Sequence, residues 1–207
     1  MREGNSDRAG IVVGADGLAR CRWAISTEDY KAYHDLEWGV AVHGETQLYE
    51  RLTLEAFQSG LSWLTILRKR EAFRSAFAGF DYTIIASFGK RDVKRLLLDA
   101  GIVRHRGKIE AVINNAQRAL ELVEAEGSLA HYIWSFEPAQ DREEERRLTF
   151  TPESKALAKD LKRRGWRFVG PTTMYAFMQS MGLVNDHLDG CETRAAVDLA
   201  RARFKRP

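Results

Sequence analysis

Cysteine, proline and strand pattern are all scarce in this chain of 207 residues. The two cysteines, Cys21 and Cys191, stand near opposite ends. Two cannot make the disulfide framework that props up small secreted domains. A lone disulfide, two buried thiols and two ligands of one metal all stay open. The N-terminal residues hold no apolar run of signal-peptide length, and no run elsewhere approaches the ~20 residues of a membrane span. A cytoplasmic protein with no membrane partner is expected, and in that compartment a structural disulfide is disfavoured. The four prolines interrupt little. Alternation is confined to Trp166-Arg167-Phe168-Val169, too short to anchor a sheet.

What is present is helical spacing. Leu48, Leu52, Leu54 and Phe57 share one face, entered at Thr46 as N-cap. Leu61, Leu64, Ile66 and Leu67 continue it after Gly60. Val93, Leu96 and Leu97 make a second stripe, and Ile109, Val112, Ile113, Ala116 and Leu120 a third. Thr151 or Ser154 opens a helix that Gly165 stops; Thr172 or Thr173 opens another that Gly182 closes. The fold class is all-α. Residues 1–20, with four glycines, read as a mobile N-terminal tail, 21–191 as the helical domain and 192–207 as a basic C-terminal tail. Asp141 to Arg147, seven consecutive charged residues, read as an exposed loop.

The net charge of +3 hides asymmetry. Residues 28–55 carry seven acids against two bases, residues 90–118 eight bases against three acids, and residues 154–170 six bases against Asp160 alone. Any one such segment is an ordinary solvated helix face. Together they suggest a polyanion-binding surface beside a site that accepts a cation.

His34 follows Cys21 by thirteen positions and His187 precedes Cys191 by four. Two thiolates and two imidazoles suit tetrahedral zinc, and with all four used the site would be structural. From spacing alone, two buried fillers and two hydrogen-bonded histidines are the slightly better reading.

Leu96 to Ile109 reads as helix, tight turn at Gly101, helix, and so resembles a helix–hairpin–helix. That motif presents backbone amides at a helix N-terminus to a phosphate. Arg104, Arg106 and Lys108 add charge there, while Val103 replaces the usual second glycine. An ordinary antiparallel helix pair has the same outline.

Trp23, Tyr30, Tyr33, Trp38 and Trp63 lie close together in sequence with Glu55 among them. Such rings are commonly core, yet Trp and Tyr carry polar atoms that make an expensive core. A pocket that stacks a flat cation is the sharper reading.

These pieces coincide with one family. Cys21-Arg22-Trp23, Tyr33 to Val40, Leu54-Glu55, Gln58 to Trp63, Asp99 to Ile109, Phe168-Val169-Gly170 and Gly182 to His187 stand in one order over residues 21–191. The sequence thereby resembles the DNA-3-methyladenine glycosylase I family of helix–hairpin–helix glycosylases. The resemblance implies a single structural zinc on Cys21, His34, His187 and Cys191, joining the two chain ends. It implies catalytic or base-edge roles for Glu55 and Tyr33, and a base pocket of Trp23, Tyr30, Trp38 and Trp63. It places the DNA backbone on a hairpin near 92–116, at Gly101, Arg104, Arg106 and Lys108.

The implied enzyme is a monofunctional glycosylase, and a monomer is the simplest expectation for it. It would hydrolyse the N-glycosidic bond of 3-methyladenine in double-stranded alkylated DNA and release the free base. The family lacks the catalytic aspartate of its superfamily; Glu121, Glu124 and Glu126 lie roughly where one would be sought. Phe57 replaces a polar residue of some members, a change expected at the pocket wall. A zinc-stabilised DNA-binding module without catalysis, or a glycosylase for another alkylated base, are the alternatives.

Overall fold

The computed structural model describes residues 10–139 and 148–207. The expected loop at 141–147 and the first nine residues of the expected tail lie outside the described residues. The rest of that tail is a two-stranded antiparallel hairpin, β1 (Ile11–Val13) and β2 (Ala19–Cys21), with Ile11 opposite Cys21. Strands of three residues are too short to show period-2 alternation in the sequence. What fixes the hairpin is buried Arg20, whose Nε reaches Asp35 at 2.9 Å and whose guanidinium also pairs with Asp16 at 2.9 Å.

A 3₁₀ turn (Arg22–Ser26) leads into α1 (Glu28–Leu36), capped by Thr27. There follow α2 (Glu45–Gln58), α3 (Trp63–Ala76), the short α4 (Tyr82–Ile85), α5 (Lys90–Leu98), α6 (Arg106–Glu126) and α7 (Leu129–Trp134). After the undescribed stretch come α8 (Pro152–Arg163), α9 (Pro171–Ser180) and α10 (Glu192–Arg203). Among the described residues the molecule is thus mostly helical with one small sheet. The expected C-terminal tail is largely α10; its Arg201 is buried and donates to the carbonyls of Gly182 and Leu183.

Local chemistry sets most boundaries. Thr151 and Ser154 exchange hydrogen bonds in a capping box, and Pro152 supplies the first helical residue of α8. Helix α2 is capped by Gly44 rather than Thr46. Glu45 is instead spent on α7, accepting from Ser128 Oγ and from the amides of Leu129 and Ala130. Helix α9 begins after Gly170, ahead of both expected threonine caps, because Pro171 suits the first turn. The Trp166–Val169 piece is a turn: Asn115 pins Arg167 through both its amide and its carbonyl.

The core wraps α2, whose Leu48, Tyr49, Leu52 and Phe57 are fully buried. Phe57 packs on Phe73 and Phe77 inside that core, away from the pocket wall where its substitution was expected to act. At Gly182 (φ +81°) an added Cβ would lie 2.5 Å from the Ala41 amide nitrogen. Only glycine permits this approach. It brings the 37–42 segment onto the end of α9, sealed by Gly39 N–H to Gln179 O and Val42 N–H to Met181 O. Trp38 and His187 meet as a result, 4.7 Å between ring centres.

Candidate functional site: an aromatic cavity beside a Cys/His cluster

A cavity of about 440 Å³ opens between α1, α2, α9 and the 181–191 segment. All five aromatic residues singled out in the sequence line it, and so does Glu55. The 3₁₀ turn presents Trp23 at the mouth, edge-on to Trp38 at 5.1 Å and to Tyr30 at 5.6 Å. Tyr30 and Tyr33 share a face of α1 one turn apart. Tyr33 leans on Trp63 at 5.4 Å. Tyr30 Oη is held by the Leu64 amide, 3.0 Å away, which ties α1 to the start of α3.

Glu55 projects from the last turns of α2 and is buried. Burial pushes its carboxyl up to about 8, opposed only by the charge of Arg51. Burial and the neighbouring Glu55 likewise hold the Tyr33 phenol well above its ordinary value. The cavity therefore offers ring faces, the carboxyl of Glu55 beside the Tyr33 phenol, and room for a planar heterocycle.

The surrounding acidic segment is not an acidic pocket. Asp29 pairs with Arg68, Glu37 with Arg70 and Glu50 with Arg74, all from α3. Of its seven acids, Glu55 alone lines the cavity. Glu121 pairs with Arg118 and Glu126 with Arg164, and none of the three glutamates on the end of α6 reaches it. Sequence reasoning gave no role to Gln58, Gln179, Leu188 or Asp186, which also line it. The available signal was the adjacency of Asp186 to His187 and the one-turn spacing of Tyr175 and Gln179.

Against the cavity wall lies the cysteine and histidine cluster. Ligand atoms of Cys21, His34 and Cys191 lie within 4.8 Å of one another, all buried. Both cysteines are free thiols, so the disulfide alternative falls away. A proton shared between them pushes Cys21 up and Cys191 down, with His34 favouring the Cys191 thiolate. His187 stands beside the three, its ring centre 4.7 Å from that of His34. Its Nε2 faces the His34 carbonyl at 3.4 Å. In both imidazoles Nδ1 is occupied, by Asp35 at 2.7 Å and by Asn185 at 2.8 Å; Nε2 of His34 faces Cys191 Sγ at 3.5 Å, while that of His187 faces the His34 carbonyl.

The α5–α6 pair joins through Asp99–His105, with Asp99 accepting from the Gly101 amide. Arg104 and Arg106 are exposed there. Lys108 is not a surface cation: its Nζ is turned inward, donating to Phe57 O at 2.8 Å and Ser59 O at 2.6 Å. It completes the C-terminus of α2, where a cation meets unpaired carbonyls.

A sequence model of a family described as methyladenine glycosylase matches residues 23–195. The chain is 45% identical over 179 residues to DNA-3-methyladenine glycosylase 1 of Escherichia coli (strain K12), spanning 84% of this chain and 96% of that protein. It is 42% identical over 182 residues to a DNA-3-methyladenine glycosylase of Haemophilus influenzae, spanning 86% and 98%. A crystal structure of 3-methyladenine DNA glycosylase I superposes with a TM-score of 0.79 at 47% identity, over 84% of this chain and 98% of that one. The Staphylococcus aureus 3-methyladenine DNA glycosylase I, solved to explain recognition of 3-methyladenine, gives 0.79 at 36% identity, over 84% and 96%.

Proposed function

The chain belongs to the methyladenine glycosylase family, and from that membership we propose that it is a base-excision repair enzyme. Its reaction is hydrolysis of the N-glycosidic bond of 3-methyladenine in alkylated double-stranded DNA. The observation that carries this is the aromatic cavity with one buried glutamate in its wall. Pure backbone binding needs neither.

Methylation at N3 gives adenine a positive charge, so the base leaves neutral and needs no strong general acid. The protein has to unstack the nucleotide, at a few kcal/mol that is least for a damaged base. The rings of Trp23, Tyr30, Trp38 and Trp63 then favour the cation by roughly 0.5–2 kcal/mol per contact. Glu55 and Tyr33 meet the edge of the base. No lysine lines the cavity among the described residues. The reaction is therefore a simple hydrolysis without strand cleavage.

The hairpin serves as the helix–hairpin–helix for the phosphate backbone, through Gly101, Arg104 and Arg106. A single structural Zn²⁺ belongs to the same reading. The donor set supports it, with two thiols and two Nε2 atoms whose rings are each fixed by a hydrogen bond at Nδ1. Nε2 of His187 would have to swing from the His34 carbonyl onto the metal. The protein acts as a cytoplasmic monomer. Incubation with methylated duplex DNA tests the reading. Free 3-methyladenine should appear; release of 7-methylguanine or hypoxanthine in its place would mark a glycosylase for another base. Tight DNA binding with no released base would mark a non-catalytic module.

A further inference from the structure

Asp186 is a second carboxylate in the cavity wall, and nothing above uses it. It is buried, and two hydrogens converge on its Oδ2. Tyr175 Oη donates at 2.5 Å and Gln179 Nε2 at 2.6 Å. The two donors lie one turn apart on α9, so a single helix face grips one oxygen. Both hydrogen bonds fall on Oδ2 and Asp186 lines the cavity, so Oδ1 is the oxygen available to a ligand there. A carboxylate clamped at its far oxygen cannot turn away, and such a fixed group needs no reorganisation when charge develops in front of it.

Glu55 is differently placed. It is raised by burial and holds its proton at neutral pH in the free protein, so it suits a hydrogen bond to the base. The reaction still moves positive charge from the base to the sugar. When the C1′–N9 bond breaks, its electron pair leaves with neutral 3-methyladenine and C1′ becomes cationic. Water oxygen then bonds to C1′, and its surplus proton passes to bulk solvent.

The geometry points to Asp186 as the catalytic carboxylate whose fixed negative charge faces the sugar and steadies that cation. This rests on the base-excision reading and adds a residue to it.

The test compares the parent with Asp186→Asn and Tyr175→Phe. Three quantities are read: single-turnover release from 3-methyladenine DNA, affinity for free neutral 3-methyladenine, and bound zinc per chain. Asp186→Asn should slow release by about 100-fold, while free-base affinity stays within about threefold and metal content is unchanged. Tyr175→Phe should slow release several-fold with the same two controls intact. Release by Asp186→Asn within about threefold of the parent overturns the assignment. So does a parallel loss of release, base binding and zinc, which marks a merely structural residue. If Asp186→Asn fails to fold, Tyr175→Phe decides alone, and an unchanged rate overturns it. A parent that releases no base at all overturns the base-excision reading itself, a result distinct from active variants beside an active parent.

Discussion

Nε2 of His34 lies 3.5 Å from Sγ of Cys191, although one belongs to the first helix and the other precedes the last. The ring is oriented from behind. Asp35 takes its Nδ1 at 2.7 Å, and Arg20 of the hairpin takes Asp35. The predicted outcome is one zinc per purified chain, by elemental analysis. Asp35→Asn should weaken zinc about 10- to 100-fold, as carboxylates behind a ligating histidine do. Cys191→Ala should lose the metal and lower the thermal midpoint. A metal-free parent, with Cys191→Ala as stable as the parent, would return both cysteines to the status of core fillers.

Glu55→Gln should fold and keep its metal, yet excise 3-methyladenine about 10- to 100-fold more slowly, the worth of a hydrogen bond to a charged partner. Full excision activity would sink the role.

The same variant makes a stability prediction. The Glu55 carboxyl moves from its ordinary 4.5 to about 8 in the folded protein. Between those values the native state holds a proton that the unfolded chain has released. Stability therefore falls as pH rises through this window. The parent's thermal midpoint should drop more steeply than that of Glu55→Gln between about pH 5 and 8. Parallel melting profiles would refute it.

Trp63→Ala removes one ring face against the base and its contact with Tyr33. The expected loss in kcat/KM on 3-methyladenine DNA is a few-fold to about thirtyfold, from ~0.5–2 kcal/mol of cation–π attraction. Binding of undamaged DNA should be unchanged, since the ring lies in the cavity rather than on the hairpin.

Two cations of one short segment should separate cleanly. Arg104→Ala should weaken DNA binding and lower the salt slope by about 1, as the loss of one phosphate contact does. Lys108→Met should leave the salt slope alone and cost stability, because two carbonyls at the end of α2 lose their donor. A changed salt slope in Lys108→Met would place that residue on DNA after all.

Helix positions were legible because their causes are local. The 3.6-residue stripes of α2 and α6 (the exposed Leu120 apart), the Thr151 cap and the glycine stops at 165 and 182 all act within a few residues. The chemical types at the site were equally legible, since aromatic rings, one glutamate and a Cys/His quartet sit in the sequence in plain order. Burial and pairing were not. Lys108 reads as a surface cation until α2 ends against it, and the acids of 28–55 read as a pocket until the arginines of α3 claim them. Residues 11–20 read as a tail because a glycine-rich turn has no periodicity; Arg20 orders them by reaching Asp35 on another element. Asp186 became a candidate only when α9 carried Tyr175 and Gln179 to one of its oxygens. The sequence by itself determined which elements form and which chemistry is available. Tertiary structure decided which charges face the cavity, because desolvation and ion pairing depend on partners that only folding brings within reach.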